Sequence, residues 1–312
     1  MGCRAPMAME QGFTGQGFTG QGFTGQGFTV CGGCHIDRQL RLTAAPQTGR
    51  TNPADARERL GGVATNMACQ LASWNAPVRF VGVQPPGSLA GMEARLAVAG
   101  IAPFLAPCDG EPPGYTAILT PDGELLMGAA AMALYETVTL AMIRPGLEGT
   151  EGPLILDANF PADTITAIAS EFGAAQRMFA AGTSMAKVSR LADALPLLDA
   201  LVVNRGEAAA LLGAEVTVDE MAASLAGSLR DGGVVLVSDG GDMAALADTG
   251  SGTVVTARPP QISLVNANGA GDVMAARLFC DLESQPDMAL SDRLRAALAA
   301  GADYAAGATV EV

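Results

Sequence analysis

Lysine and histidine are nearly missing from this chain: in 312 residues Lys187 is the sole ammonium and His35 the sole imidazole, so the other basic residues are arginines. Eighteen Lys and Arg stand against 32 Asp and Glu, a net charge of −14. Nucleic-acid surfaces need clustered basic residues, and these are scattered, so small ligands are the expected partners. No apolar run approaches the roughly 20 residues of a membrane span. Met1 to Glu10 lacks the basic and apolar regions of an export signal, which predicts a cytoplasmic protein. The six cysteines are dispersed, so free thiols are expected rather than a disulfide framework. Cys31-Gly-Gly-Cys34-His35 matches a haem-attachment pattern, but attachment requires export and the motif straddles a predicted core strand and its turn. A metal cage built on histidine fails because there is one histidine and no second Cys pair with ligand spacing.

What is present is apolar and glycine-rich. With 49% hydrophobic residues, the chain has ample material for one large core or two. Its chemistry concentrates in Val265-Asn-Ala-Asn-Gly269-Ala270-Gly271-Asp272, followed by helix formers to Cys280. A tight loop that opens a helix offers free N–H groups at the positive end of the dipole, and glycines admit a phosphate to the backbone. A carboxylate at the rim of such an anion hole suggests phosphoryl transfer, with Asp272 accepting the proton of the attacking hydroxyl.

Along the chain, Gln11 to Thr29 is four copies of Gln-Gly-Phe-Thr joined by Gly, too short in period for a solenoid and expected to be a flexible extension (residues 1–29). Phe28 to Gly33 reads as a first strand ending in a glycine turn, with Asp37 beyond it. The polar stretch Leu40 to Arg59 suits a lid loop. Gly61-Gly62-Val-Ala-Thr-Asn66 leads into a helix carrying Val63, Met67, Leu71 and Trp74 at helical spacing. Val78–Val83 reads as a strand and Ser88–Ala99 as a helix, and 115–120 with 125–129 as a hairpin around Pro121-Asp-Gly-Glu124. From Pro153 the pattern alternates unbroken apolar strands with helices, which predicts a parallel sheet covered on both faces. The strands are centred on 154–156, 177–180, 200–203 and 233–237, with helices from Ser184, after Asn204, after Thr217 (a Thr217-x-x-Glu220 capping box) and from Leu290.

Gly61-Gly62-x-x-x-Asn66, Asn204-x-x-Glu207 and Gly269-Ala270-Gly271-Asp272, in that order, resemble the ribokinase-like carbohydrate and nucleoside kinases over residues from about 28 to 310. Within them the chain looks most similar to pseudouridine kinases, through Arg50-Thr51-Asn52-Pro53, the Gly61–Ala68 stretch, Pro121–Leu125, Asp157-Ala158-Asn159-Phe160-Pro161, and Ser184-Met185-Ala186-Lys187 followed by Asn204-Arg205. The resemblance implies a three-layer α/β/α sandwich over 30–312, with a small β lid drawn from about 36–60 and 101–130. It implies ATP with Mg²⁺ and phosphorylation of a ribonucleoside 5′-hydroxyl. Carried over by residue, Asp272 is the base and Gly269, Ala270 and Gly271 the anion hole. Asp37, Asn52, Gly61, Gly62, Asn66 and Asn159 bind the sugar. Lys187, Asn204, Glu207, Ser238, Gly240 and Asn268 serve ATP and its phosphates, Glu207 holding Mg²⁺ directly or through water. A lid-mediated homodimer is expected, since a sheet of few strands exposes edges and an apolar face.

The chain departs from the family pattern at five places: Gln84-Pro85-Pro86 replaces a Gly-Asp-Asp type turn, Met243 a glycine, Asn266 an aspartate, Ala181-Gly182 an Asp-Pro pair, and Ala131 an acid. Two alternatives therefore stand beside the nucleoside kinase: a ribose- or fructose-type sugar kinase, and a degenerate relative that binds without turnover.

Overall fold

A computed structural model describes residues 26–265 and 267–307; the repeat up to Gly25, with its expected flexibility, and the Asn266 departure lie outside the described residues. Five apolar strands, β1 (Phe28–Cys31), β4 (Val78–Gln84), β8 (Leu154–Asp157), β9 (Met178–Ala181) and β10 (Ala200–Asn204), are buried along almost their whole length. Strands buried on both faces have no reason to alternate, and these do not. With β5 (Ala102–Pro107), β11 (Val234–Ser238), β12 (Ala244–Asp248) and β13 (Thr253–Ala257) they form a nine-stranded sheet in the order β13-β12-β11-β10-β9-β8-β1-β4-β5. It is parallel except at β12 and β13, which close it as an antiparallel hairpin. Phe28 and Thr29, counted above with the repeat, are the first half of β1 and pair with Val78 and Arg79.

Helices cover both faces. On one lie α1 (Val63–Ser73), α2 (Pro86–Val98), α7 (Ala270–Ser284) and α8 (Leu290–Ala305), packing Met67, Leu96, Phe279 and Leu298 onto Phe80, Val202 and Leu236. On the other lie α3 (Leu140–Leu147), α4 (Ala162–Phe172), α5 (Arg205–Leu212) and α6 (Val218–Ala226), whose Ile143, Ile168 and Met221 meet Val81, Leu201 and Val237. The helix expected from Ser184 is instead a 3₁₀ run over Val188–Leu197 with Pro196 inside it, where a missing N–H suits short i→i+3 turns better than an α-helix. Glu220 accepts a hydrogen bond from Thr217 N at 3.0 Å, closing the start of α6.

The lid is a separate four-stranded sheet, β3-β2-β6-β7, of β2 (His35–Leu42), β3 (Ala54–Gly61), β6 (Gly114–Leu119) and β7 (Leu125–Ala131). Two expectations change here. Leu40 to Arg59 keeps a loop only over 43–53 and is strand at both ends: β2 and β3 pair antiparallel from His35↔Gly61 to Leu42↔Ala54, and charged residues mark β3 as an edge. The lid takes nothing from 101–113, because β5 pairs with β4 in the large sheet and buries Leu105.

β1 has β4 on one side and β8 on the other, so the chain reverses its direction of strand addition there. Clefts open at the carboxyl ends of strands beside such a reversal, and that is where the β1 turn, the start of α1 and the end of β8 meet. Gly62, the N-cap of α1, has φ +107, and a Cβ on it would collide with the carbonyl of Gly33. Gly62→Ala is expected to cost about 2 kcal/mol or more, measured by chemical denaturation.

Candidate active site

The polar residues of the cleft form two arrays, one around Asp272 and one around Asp157. Asp272 stands in the first turn of α7, whose N-cap Gly269 is left-handed at φ +91 with Tyr304 against it. A Cβ on Gly271 would point into open space, so the first-turn N–H groups remain approachable from the cleft. Across it, Asn66 on α1 donates from Nδ2 to Asp272 Oδ2 at 2.7 Å. Asp272 keeps part of its surface open to the cleft, but protein crowds it. Burial pushes its pKa up to about 7; the Asn66 hydrogen bond opposes this, and the charges of Asp157, Glu207 and Asp37 add to it.

A cavity of about 130 Å³ runs from Asp272 and Gly271 to Asn204, Glu207, Ser238 and Thr183. Asn204 and Ser238 are register partners in β10 and β11, which sets them side by side. Asn204 caps α5: its Oδ1 accepts from Glu207 N at 2.9 Å and its own N donates to Glu207 Oε2 at 3.0 Å. Burial raises the pKa of Glu207 against the pull of that bond. Gly182 passes so close that any Cβ there would collide with the Glu207 carboxylate.

The second array was only partly visible in the motifs. Asp157, 1% accessible at the end of β8, accepts from Gly33 N and Ala64 N, both at 3.1 Å, from Asn159 N at 2.9 Å and from Asn159 Nδ2 at 2.7 Å. Lys187 Nζ donates to Asn159 Oδ1 at 2.9 Å and lies 5.9 Å from the Tyr135 ring centroid. Burial and Arg190 lower the pKa of Lys187, against the charges of Asp157 and Glu136. Tyr135, fully buried, donates to Cys34 O at 2.8 Å and contacts His35 Nδ1 at 3.1 Å. His35 Nε2 is 3.3 Å from Asp37 Oδ1, and Arg59 Nε is 3.6 Å from Asp37 Oδ2. Asp37 is thus held within the lid, packed on Gly61, and His35 carries the contact to Tyr135 of the body. Asp157, Tyr135 and His35 were missed as site residues; the signal was the Gly32-Gly33 pair, where side chains would collide with Asp157 and Asn159.

Other expected site residues sit outside these arrays. The Asn52 amide is spent on its own loop, accepting from Gln47 N at 2.8 Å and donating to the carbonyls of Gln47 and Arg50 at 3.0 Å. Gly240, at φ +54, and Asn268 are exposed on loops flanking the cavity. The Gln84-Pro85-Pro86 departure is structural: buried Gln84 donates to Cys34 O at 2.6 Å and accepts from Ser88 at 2.9 Å, while Pro86 opens α2. Met243 packs on the core and Ala131 ends exposed β7. The five cysteines among the described residues are buried and unpaired.

An acid whose pKa is raised on folding destabilises the fold above that pKa and ceases to do so below its unfolded value near 4. Asp272→Asn is therefore expected to raise the melting temperature at pH 8, by about 2 to 6 °C. The gain should shrink as pH falls through 7 toward 4, which calorimetry across that range checks.

The model of the pfkB family of carbohydrate kinases matches residues 29–306. No curated protein sequence matches the chain. Among solved structures, a carbohydrate kinase from Agrobacterium tumefaciens is 30% identical, with TM-score 0.76 over 88% of this chain and 89% of that one. A mutant of phosphofructokinase-2 from Escherichia coli is 18% identical, with TM-score 0.75 over 90% and 94%. Ribokinase from Thermotoga maritima is 18% identical, with TM-score 0.73 over 90% and 93%. With its family model spanning nearly all the described residues and its fold that of ribokinase, the chain belongs to the pfkB family of carbohydrate kinases.

Proposed function

We propose that this kinase transfers the γ-phosphoryl group of ATP, with Mg²⁺, to the 5′-hydroxyl of a ribonucleoside, in the first instance pseudouridine. The observation that supports it most is the 2.7 Å bond between Asn66 and Asp272. It brings the amide assigned to a sugar hydroxyl against the acid assigned to take its proton, at the donor end of α7. An acceptor held by Asn66 then lies beside both base and anion hole, and that placement supplies much of the rate.

Each residue has a separate task. Asp272, with a pKa of about 7, is a carboxylate for about half of the time at neutral pH and accepts the proton of the attacking hydroxyl. The N–H groups of Gly269 to Gly271 face the negative charge of the transferred group. Lys187, held by Asn159, supplies an ammonium for a phosphate. Glu207 and Asp272 share the cavity, and among the described residues no group of three His, Cys, Asp or Glu forms a metal cage. A carboxylate with water and phosphate oxygens suits Mg²⁺, so Glu207 would hold the ion directly or through water, and the ion would neutralise charge between the phosphates.

A second reading, a free-sugar kinase, draws on the names of the solved relatives, which are sugar kinases. Assembly through the lid is part of the proposal: β7 is an edge strand exposed along its whole length, with Leu125, Leu126 and Met127 at 60, 49 and 61% accessible. Two such edges and faces packed together cover each other.

Asp272→Ala is expected to lower turnover by about 10³-fold in an ADP-release assay while substrate binding stays near that of the parent. An unaltered rate would exclude the assigned base. In the parent, kcat/KM should rise with pH and level off above about 7. A panel of ribose, fructose, adenosine, uridine and pseudouridine separates the two readings, and saturable activity on fructose with none on nucleosides would replace the first by the second. Light scattering at micromolar concentration should give a dimer mass, retained after removal of residues 1–25; a monomer would remove the lid interface from the proposal.

A further inference from the structure

Asp157 lies in a stretch that the motifs single out and that the proposed chemistry leaves without a role. Its four donors come from three separate segments: Gly33 from the turn after β1, Ala64 from the first turn of α1, and Asn159 from the loop after β8. All are neutral amides, so they hold the carboxylate by geometry and not by ion pairing. Two glycines clear the space for it: a side chain at Gly32 would collide with the carboxylate, and one at Gly33 would lie 2.5 Å from Asn159 Nδ2. Thr65 adds a bond of 2.8 Å from its hydroxyl to Gly33 O.

We infer that Asp157 is the positioning residue of this site, its carboxylate tying the β1 turn, α1 and the β8 loop into one floor and setting the Asn159 amide that holds Lys187. Two consequences bear on the chemistry, and they rest on the kinase reading above. Ala64 lies two residues before Asn66, so a bond to Ala64 N fixes the helical register that aims Asn66 at Asp272. Asn159 spends its Nδ2 on Asp157 and thereby turns its Oδ1 to Lys187. Asp157 also acts through space: burial is the main cause of the high pKa of Asp272, with the charges of Asp157, Glu207 and Asp37 adding to it and the Asn66 bond opposing.

Asp157→Asn keeps the shape and removes the charge. In hydrogen–deuterium exchange the amides of Gly33, Ala64 and Asn159 should exchange roughly tenfold faster or more, since each loses a bond to a charged acceptor. The acidic limb of kcat/KM should move to lower pH by roughly a few tenths of a unit. Asn159→Ala keeps the carboxylate and cuts the link to Lys187; its limb should stay in place while calorimetric affinity for ATP falls roughly tenfold. Parent-like exchange at the three amides in Asp157→Asn, or an equal limb shift in both variants, would overturn the inference. If Asp157→Asn does not fold, Asn159→Ala decides, and parent-like ATP affinity overturns it. A parent that phosphorylates no acceptor would sink the kinase reading instead, and leave the exchange measurement standing.

Discussion

The cleft depends on satisfying backbone amides at a place where water is largely excluded. Where strand order reverses at β1, three chain segments end against one another, and their N–H groups need acceptors. One carboxylate, Asp157, meets this need for Gly33, Ala64 and Asn159 at 2.9–3.1 Å. Removing such an acceptor leaves buried donors unpaired, a penalty of about 1–3 kcal/mol each. The start of α1, and with it Asn66, is thereby fixed relative to the sheet.

Around that floor the electrostatics run against a phosphate-handling enzyme at first sight. Asp37, Asp157, Glu207 and Asp272 crowd a cleft whose single ammonium is Lys187. Their mutual repulsion, after burial, lifts Asp272 into the range where it exchanges a proton near neutral pH. Positive potential comes from the α7 N-terminus, with its open Gly271. Folding stability is traded for an acid that titrates near neutral pH, as is common at functional sites.

The lid meets this centre through polar contacts. His35 bridges Tyr135 of the body and Asp37 of the lid, and Arg59 supports Asp37 from the neighbouring strand. Leu60 and Ile36 add apolar contacts from the lid strands to the packing on one side of the large sheet.

By itself the sequence determined the fold class, the parallel sheet with helices on both faces and the glycine-rich start of α7, because unbroken apolar strands, helical spacing and glycine-rich helix starts are local properties. It also paired Asn204 with Glu207, though as a helix cap their shared role needed geometry. Only the tertiary structure decided that both ends of Leu40–Arg59 are strands, since an edge strand with charged residues on it looks like a loop when its partner is unknown. It moved 102–107 from the lid to the large sheet, because pairing partners lie far apart in the chain. It turned Asn52 onto its own loop and brought Asp157 to Gly33 across 124 residues. No spacing rule reaches that far: a hydrogen bond between distant segments exists only once the sheet has set both ends, and the sequence carries no more than the two glycines that make room for it.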